Sequence, residues 1–143
     1  VLIFATLFIT GCADPNGLHN QESTTLTFVF TNFVAAEDGD YSIPGGFLSG
    51  YGWTDNSNVD ITLKDGEGTS TEIVTINSDV KFTLVPANND AWPRAWYPAI
   101  KGNAVDESQG NKYHNFWVGG IPMGTVATIV VDGSTMPATI TVK

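Results

Sequence analysis

Residues Thr24–Val34 read TTLTFVFTNFV. Leu26, Phe28 and Phe30 recur at every second position, and the stretch is rich in β-branched and aromatic side chains. A period of two puts these three residues on one face of a strand, and that face needs a core to cover it. The same alternation returns in VDITL, where Val59, Ile61 and Leu63 are expected to point inward. Thr71–Ile76, Val80–Val85, Phe116–Val118, Thr125–Val131 and Ala138–Val142 read as further short strands. Turn formers separate them: Lys64-Asp65-Gly66-Glu67-Gly68, Asn77-Ser78-Asp79 and Asp132-Gly133-Ser134. Pro137 stands at a strand start, where its missing N–H is tolerable. No stretch carries a 3.6-residue period over ten residues or more.

Short strands with frequent turns predict an all-β chain, an antiparallel immunoglobulin-like β-sandwich of about seven strands. The tail GGIPMGTVATIVVDGSTMPATITVK resembles the closing strands of bacterial immunoglobulin-like and fibronectin-like modules. In these a Gly-aliphatic-Pro-x-Gly-Thr turn precedes the penultimate strand. That resemblance implies a fold and not a ligand. Residues 35–58 and 86–115 fit no plain sandwich strand and are expected to be two long loops. Both carry aromatics, in which disordered segments are poor, so both are expected to be ordered.

The chain opens VLIFATLFITGCADPNG, with no charge before Asp14. The apolar run matches the h-region of a secretory signal and is short of the roughly 20 residues that span a bilayer. Neither a Met nor a basic n-region precedes it, and a few further residues are expected upstream. The run ends in Ile9-Thr10-Gly11-Cys12, which resembles the lipobox of bacterial lipoproteins, with Ile9 where Leu is usual. The resemblance implies cleavage before Cys12 and lipidation of Cys12, which is the only cysteine of the chain. Several acyl chains on one residue anchor firmly, at ~0.8 kcal/mol per buried CH₂. Residues 1–11 are therefore expected to be a cleaved signal, 12–23 the lipidated Cys and a polar, flexible tether, and 24–143 a single domain. The implied location is exported and membrane-anchored, at the outer membrane or cell surface, with Ala13 compatible with the outer membrane. With one cysteine, no intrachain disulfide forms, and the domain relies on its core.

The formal charge is −9. It disfavours nucleic acid, which needs a basic footprint, and electrostatic adhesion to anionic lipid, leaving the lipid anchor as the membrane contact. The charge is uneven. Residues 91–118 hold Arg94, Lys101 and Lys112, half of the six basic residues, and three of the four Trp. At their head stands AWPRAWY, residues 91–97. Pro93 and Pro98 hold the residues before them in extended geometry. An extended chain puts Trp92, Arg94 and Trp96 on one face and Tyr97 on the other.

Three readings of that cluster stay open. Arg94 between two indoles is a cation–π ladder, at ~0.5–2 kcal/mol per contact, stiffening an edge strand. The Trp rings are a platform for the C–H face of a pyranose, with Arg94 and nearby Asn and Gln side chains bonding its hydroxyls. Or the cluster is a protein contact, since Trp, Tyr and Arg concentrate in interface hot spots. Tyr51 and Trp53 in GYGW share a face and join the platform as candidates, whereas Trp117, inside the apolar FWV, is expected in the core.

Weak Ca²⁺ candidates are the acidic loops holding Asp38, Asp40, Asp55 and Asp60, but no EF-hand register exists: Ile61 takes the position of the invariant Gly. No other cofactor is suggested. His114 is the single histidine after the tether, too few for a typical zinc site, and no nucleophile elbow accompanies it. Asp106 and Glu107 are adjacent, so on a strand they point to opposite faces. The expectation is a non-enzymatic lipoprotein that binds a glycan, or a protein partner, through Trp92, Arg94, Trp96, Tyr97, Trp53 and Tyr51. The alternative is a structural subunit of a filament, pilus or adhesin, a homo-polymer assembled by strand exchange with TTLTFVFTNFV as donor.

Overall fold

The computed structural model describes residues 22–34, 36–46, 58–87, 116–135 and 138–143. Among these the chain is all β: β1 (Thr24–Thr31), β2 (Gly39–Ser42), β3 (Ile61–Leu63), β4 (Gly68–Thr69), β5 (Ile73–Thr75), β6 (Val80–Phe82), β7 (Val85–Pro86), β8 (Phe116–Val118), β9 (Val126–Asp132) and β10 (Thr139–Val142).

β1 alternates buried and half-buried positions along its whole length, and Leu26, Phe28 and Phe30 are fully buried. It lies inside the first sheet, in the order β10–β9–β1, with β4 and β5 sharing its other edge. The expectation of antiparallel pairing throughout fails at its longest ladder. β1 and β9 run parallel from Thr25↔Val126 to Thr31↔Asp132. A parallel pair needs a long crossover, and here strands β2 to β8 supply it. The other described pairs are antiparallel.

The second layer is assembled from two ladders. β2 pairs β3 on one side and β7 on the other, and β6 pairs β8. The chain beyond Ser42 ties them together. Gly45 bridges Phe82, the Thr83 N–H donates to Pro44 O (2.9 Å), and the Gly46 N–H donates to Lys81 O (3.0 Å). Residues 39–46 therefore run along 81–87, and β6 is flanked by that segment and by β8.

Phenylalanines join the layers. Phe28 of β1 meets Phe82 of β6 at 4.7 Å between ring centroids, and Phe30 meets Phe116 of β8 at 6.1 Å. Phe82 and Phe116 stack at 5.2 Å, and Phe33 packs edge-on to Phe30 and Phe116. Burying each ring contributes about 1.5–3 kcal/mol, and each aromatic pair about 0.5–1.5 kcal/mol more.

Two strands go unannounced in the sequence. β2 lies where residues 35–58 read as one long loop. Its first half, Gly39-Asp40, is polar, and only Tyr41 and Ile43 offer alternation. β4 is two residues hidden behind a turn. That turn is as read: Lys64 and Glu67 bridge each other, with Asp65 (φ 51°) and Gly66 (φ 79°) both left-handed, the geometry that suits a two-residue hairpin. One inward assignment and one strand boundary are corrected. Val59 is 44% exposed, because buried Asp60 takes the next place. Val34 lies beyond the end of β1 and is exposed, since Asn32 turns the chain with φ 61°. In the tail, Gly120 and Gly124 of the GIPMGT turn are both left-handed, and Ile121 between them is buried.

Gly66 has no room for a side chain: a Cβ there would lie 2.5 Å from the Phe33 carbonyl carbon. Gly66→Ala is expected to cost more than ~1 kcal/mol, from the left-handed backbone and the collision together; urea unfolding measures it. Tyr41 is buried, and its hydroxyl donates to Glu37 O (2.8 Å). Burial first, then the charges of Glu37 and Asp38, push its pKa up. Its folded pKa exceeds the unfolded one, near 10, so this stability is complete below about pH 10 and is lost as pH rises toward the folded value. Tyr41→Phe is expected to make the fold less sensitive to alkali, read as a smaller fall of urea midpoint across that range.

Candidate functional site

Trp117 is the middle residue of β8, and it is not in the core. Phe116 and Val118 on either side are buried, so the pleat turns Trp117 outward, where it is 40% exposed. This corrects the core assignment. Three apolar residues in a row suggested burial, yet a strand covered on one face must present its central residue to the other. That is the signal by which Trp117 could have been found.

Directly opposite Trp117 on β6 stands exposed Lys81. Paired residues of adjacent antiparallel strands hold their Cβ atoms about 4.5–5.5 Å apart. On the other side of Lys81 lies exposed Gly46, held by its bond to Lys81 O and by the Asn77 side-chain amide, which donates to Gly46 O at 2.6 Å. Gly46, Lys81 and Trp117 thus form a row across three neighbouring chain segments. Gly46 has open space where a side chain would stand.

Gly119 seats the indole. A Cβ on Gly119 would lie 2.9 Å from Trp117 Cζ2, 3.1 Å from Cη2 and 2.7 Å from Asp79 Oδ1. The benzo edge of Trp117 and the Asp79 carboxylate therefore converge over a residue without a side chain. Asp79 is itself placed by the Gly120 N–H, which donates to Oδ1 at 3.3 Å, and by the loop 76–79, whose Ser78 O accepts from the Ile121 N–H at 2.9 Å. An exposed aromatic face, an ammonium, a carboxylate and an amide side chain share one sheet surface. Such a set can stack on an apolar ring face and exchange hydrogen bonds with hydroxyls in both directions.

The other expected site residues divide by place. Cys12, Tyr51, Trp53, Asp55, Trp92, Arg94, Trp96 and Tyr97 lie outside the described residues, as do Asp106, Glu107 and His114. In sequence, each segment that carries the aromatics has one end close to a residue of this row. Residues 47–57 follow Gly46, and residues 88–115 end next to Phe116, the neighbour of Trp117.

Three of the four weak Ca²⁺ candidates are among the described residues, and each accepts a local hydrogen bond. Asp38 Oδ1 accepts from the Asp65 N–H (2.8 Å), and Asp40 Oδ1 accepts from the Thr62 hydroxyl (2.7 Å). Asp60 is 2% exposed, and its Oδ2 accepts from the Ile43 N–H (2.7 Å). Among the described residues no group of three or more His, Cys, Asp or Glu is placed to hold a metal ion.

Comparison of the chain with protein-family models, with curated proteins and with solved structures finds no match.

Proposed function

We propose that this chain is an exported, lipid-anchored lipoprotein whose β domain binds a glycan and carries out no catalysis. The observation that carries the reading is the exposed indole of Trp117, seated over Gly119 beside Lys81 and Asp79. A pyranose lays its C–H face on the indole while Lys81 donates to a hydroxyl and Asp79 accepts from one. Trp92, Arg94, Trp96, Tyr97, Tyr51 and Trp53 remain candidate contacts for the same glycan on the residue types they offer. Cys12 carries the acyl chains, and residues 13–23 space the domain from the outer membrane or cell surface. An immunoglobulin-like sandwich belongs to the same proposal, supported by two facing β layers and by the tail turn at Gly120–Thr125.

The test is tryptophan fluorescence of the chain from residue 12 onward, carrying Cys12→Ser, titrated with a panel of neutral and acidic polysaccharides. One glycan is expected to shift the emission, with Trp117→Ala weakening its binding at least about tenfold, ~1.4 kcal/mol. A panel that leaves the emission unchanged, or binding indifferent to Trp117→Ala, overturns the reading.

A further inference from the structure

We propose that β1 exchanges between two copies of this chain, each copy's β1 filling the other's first sheet. The inference is independent of the glycan reading. β1 makes its entire ladder with sequence-distant strands, from Gly68 opposite Phe30 to Val126 opposite Thr25, separations of 38 and 101 positions. Within the described residues its covalent route into the fold runs through Asn32. What β1 leaves when it departs is a slot with two unpaired edges, β9 on one side and β4 with β5 on the other. Its floor is apolar, with Phe82 and Phe116 beneath Phe28 and Phe30. An identical β1 from a second copy restores every one of these contacts in the same register, so exchange loses no strand pairing.

The hinge favours it. Asn32 sits at φ 61°, a left-handed conformation that Asn tolerates better than most residues but less well than Gly. That turn brings Phe33 back into the core, with its N–H donating to Gly66 O (3.0 Å), while Thr31 O accepts from the Gly133 N–H (2.8 Å). When β1 swings out to a second copy, Asn32 relaxes to extended backbone and the bonds at Thr31 re-form with the other chain. Short hinges under strain invite this exchange, and the exchanged unit is either a closed pair or, head to tail, a longer chain.

The test uses the chain from residue 12 onward with Cys12→Ser, Thr27→Cys and Thr128→Cys. Thr27 and Thr128 are opposite one another in the β1–β9 ladder and only half buried, and no other thiol remains. The chain is refolded at high concentration, separated by size, and each species is oxidised and run on a denaturing gel without reductant. Oligomers whose chains are covalently joined confirm exchange, because the disulfide then crosses between copies. Oligomers that run as single chains overturn it, since β1 and β9 of one copy are still paired. Absence of any oligomer also overturns it. Independently, Asn32→Val is expected to raise the oligomer fraction and Asn32→Gly to lower it, and the opposite order overturns the hinge argument.

Discussion

The packing of β1 against β6 and β8 is the contact on which the rest of this domain depends. Phe28 and Phe30 project from the middle of the first sheet onto the stacked pair Phe82 and Phe116 of the second. These four rings are fully buried. Without disulfides among the described residues, and with the single cysteine ahead of the domain, the stability of such a chain rests on apolar burial. β1 is also the strand that brings β9 and β5 into one sheet. Losing its place removes both halves of a ladder together with the apolar face that closes the core.

This explains which parts of the fold are legible in the residue order. Alternation is strong in TTLTFVFT, which faces the Phe cluster; β1 starts where the pattern puts it and stops three residues earlier, at Thr31, while β9 is displaced by one residue. It is weak where backbone bonds do most of the holding. β2 opens on Gly39-Asp40, and its register is set by ladders to β3 and β7 and by a buried carboxylate, Asp60, that accepts the Ile43 N–H. Nothing in a single strand's pattern reports such a partner twenty residues away. The parallel β1–β9 pair is hidden for the same reason: pairing direction belongs to the path of the intervening chain and not to either strand.

The row around Trp117 is not legible in the residue order, which puts Trp117 in the core. Tryptophan beside basic and amide residues drew attention to residues 91–97, and the same logic applies to Trp117, Lys81 and Asn77, which are spread over forty positions. Their meeting is made by sheet geometry. The Lys81↔Trp117 register and the Gly46 N–H bond to Lys81 O gather what the residue order scatters. Apolar neighbours on a half-covered strand are ambiguous in sequence, and FWV shows why. Its two outer residues serve the core, so its central Trp is forced outward by the pleat.

The core and the outer face are therefore coupled through β8. Phe116 and Val118 anchor Trp117 from both sides in the chain, and Phe116 is itself clamped by Phe30, Phe33 and Phe82. On the glycan reading proposed above, an indole on a strand held in this way would have less freedom to lose on binding. Affinity for a flat apolar partner then depends less on new contact area than on orientation fixed in advance. Gly119 contributes to the same end by letting the indole lie close to the backbone, with Asp79 drawn in beside it. This surface carries Lys81 and Asp79, one formal charge of each sign, and so has no local excess of positive charge to recruit an anion. It offers one donor and one acceptor flanking a ring face, which suits an uncharged polyhydroxyl partner better than a polyanion.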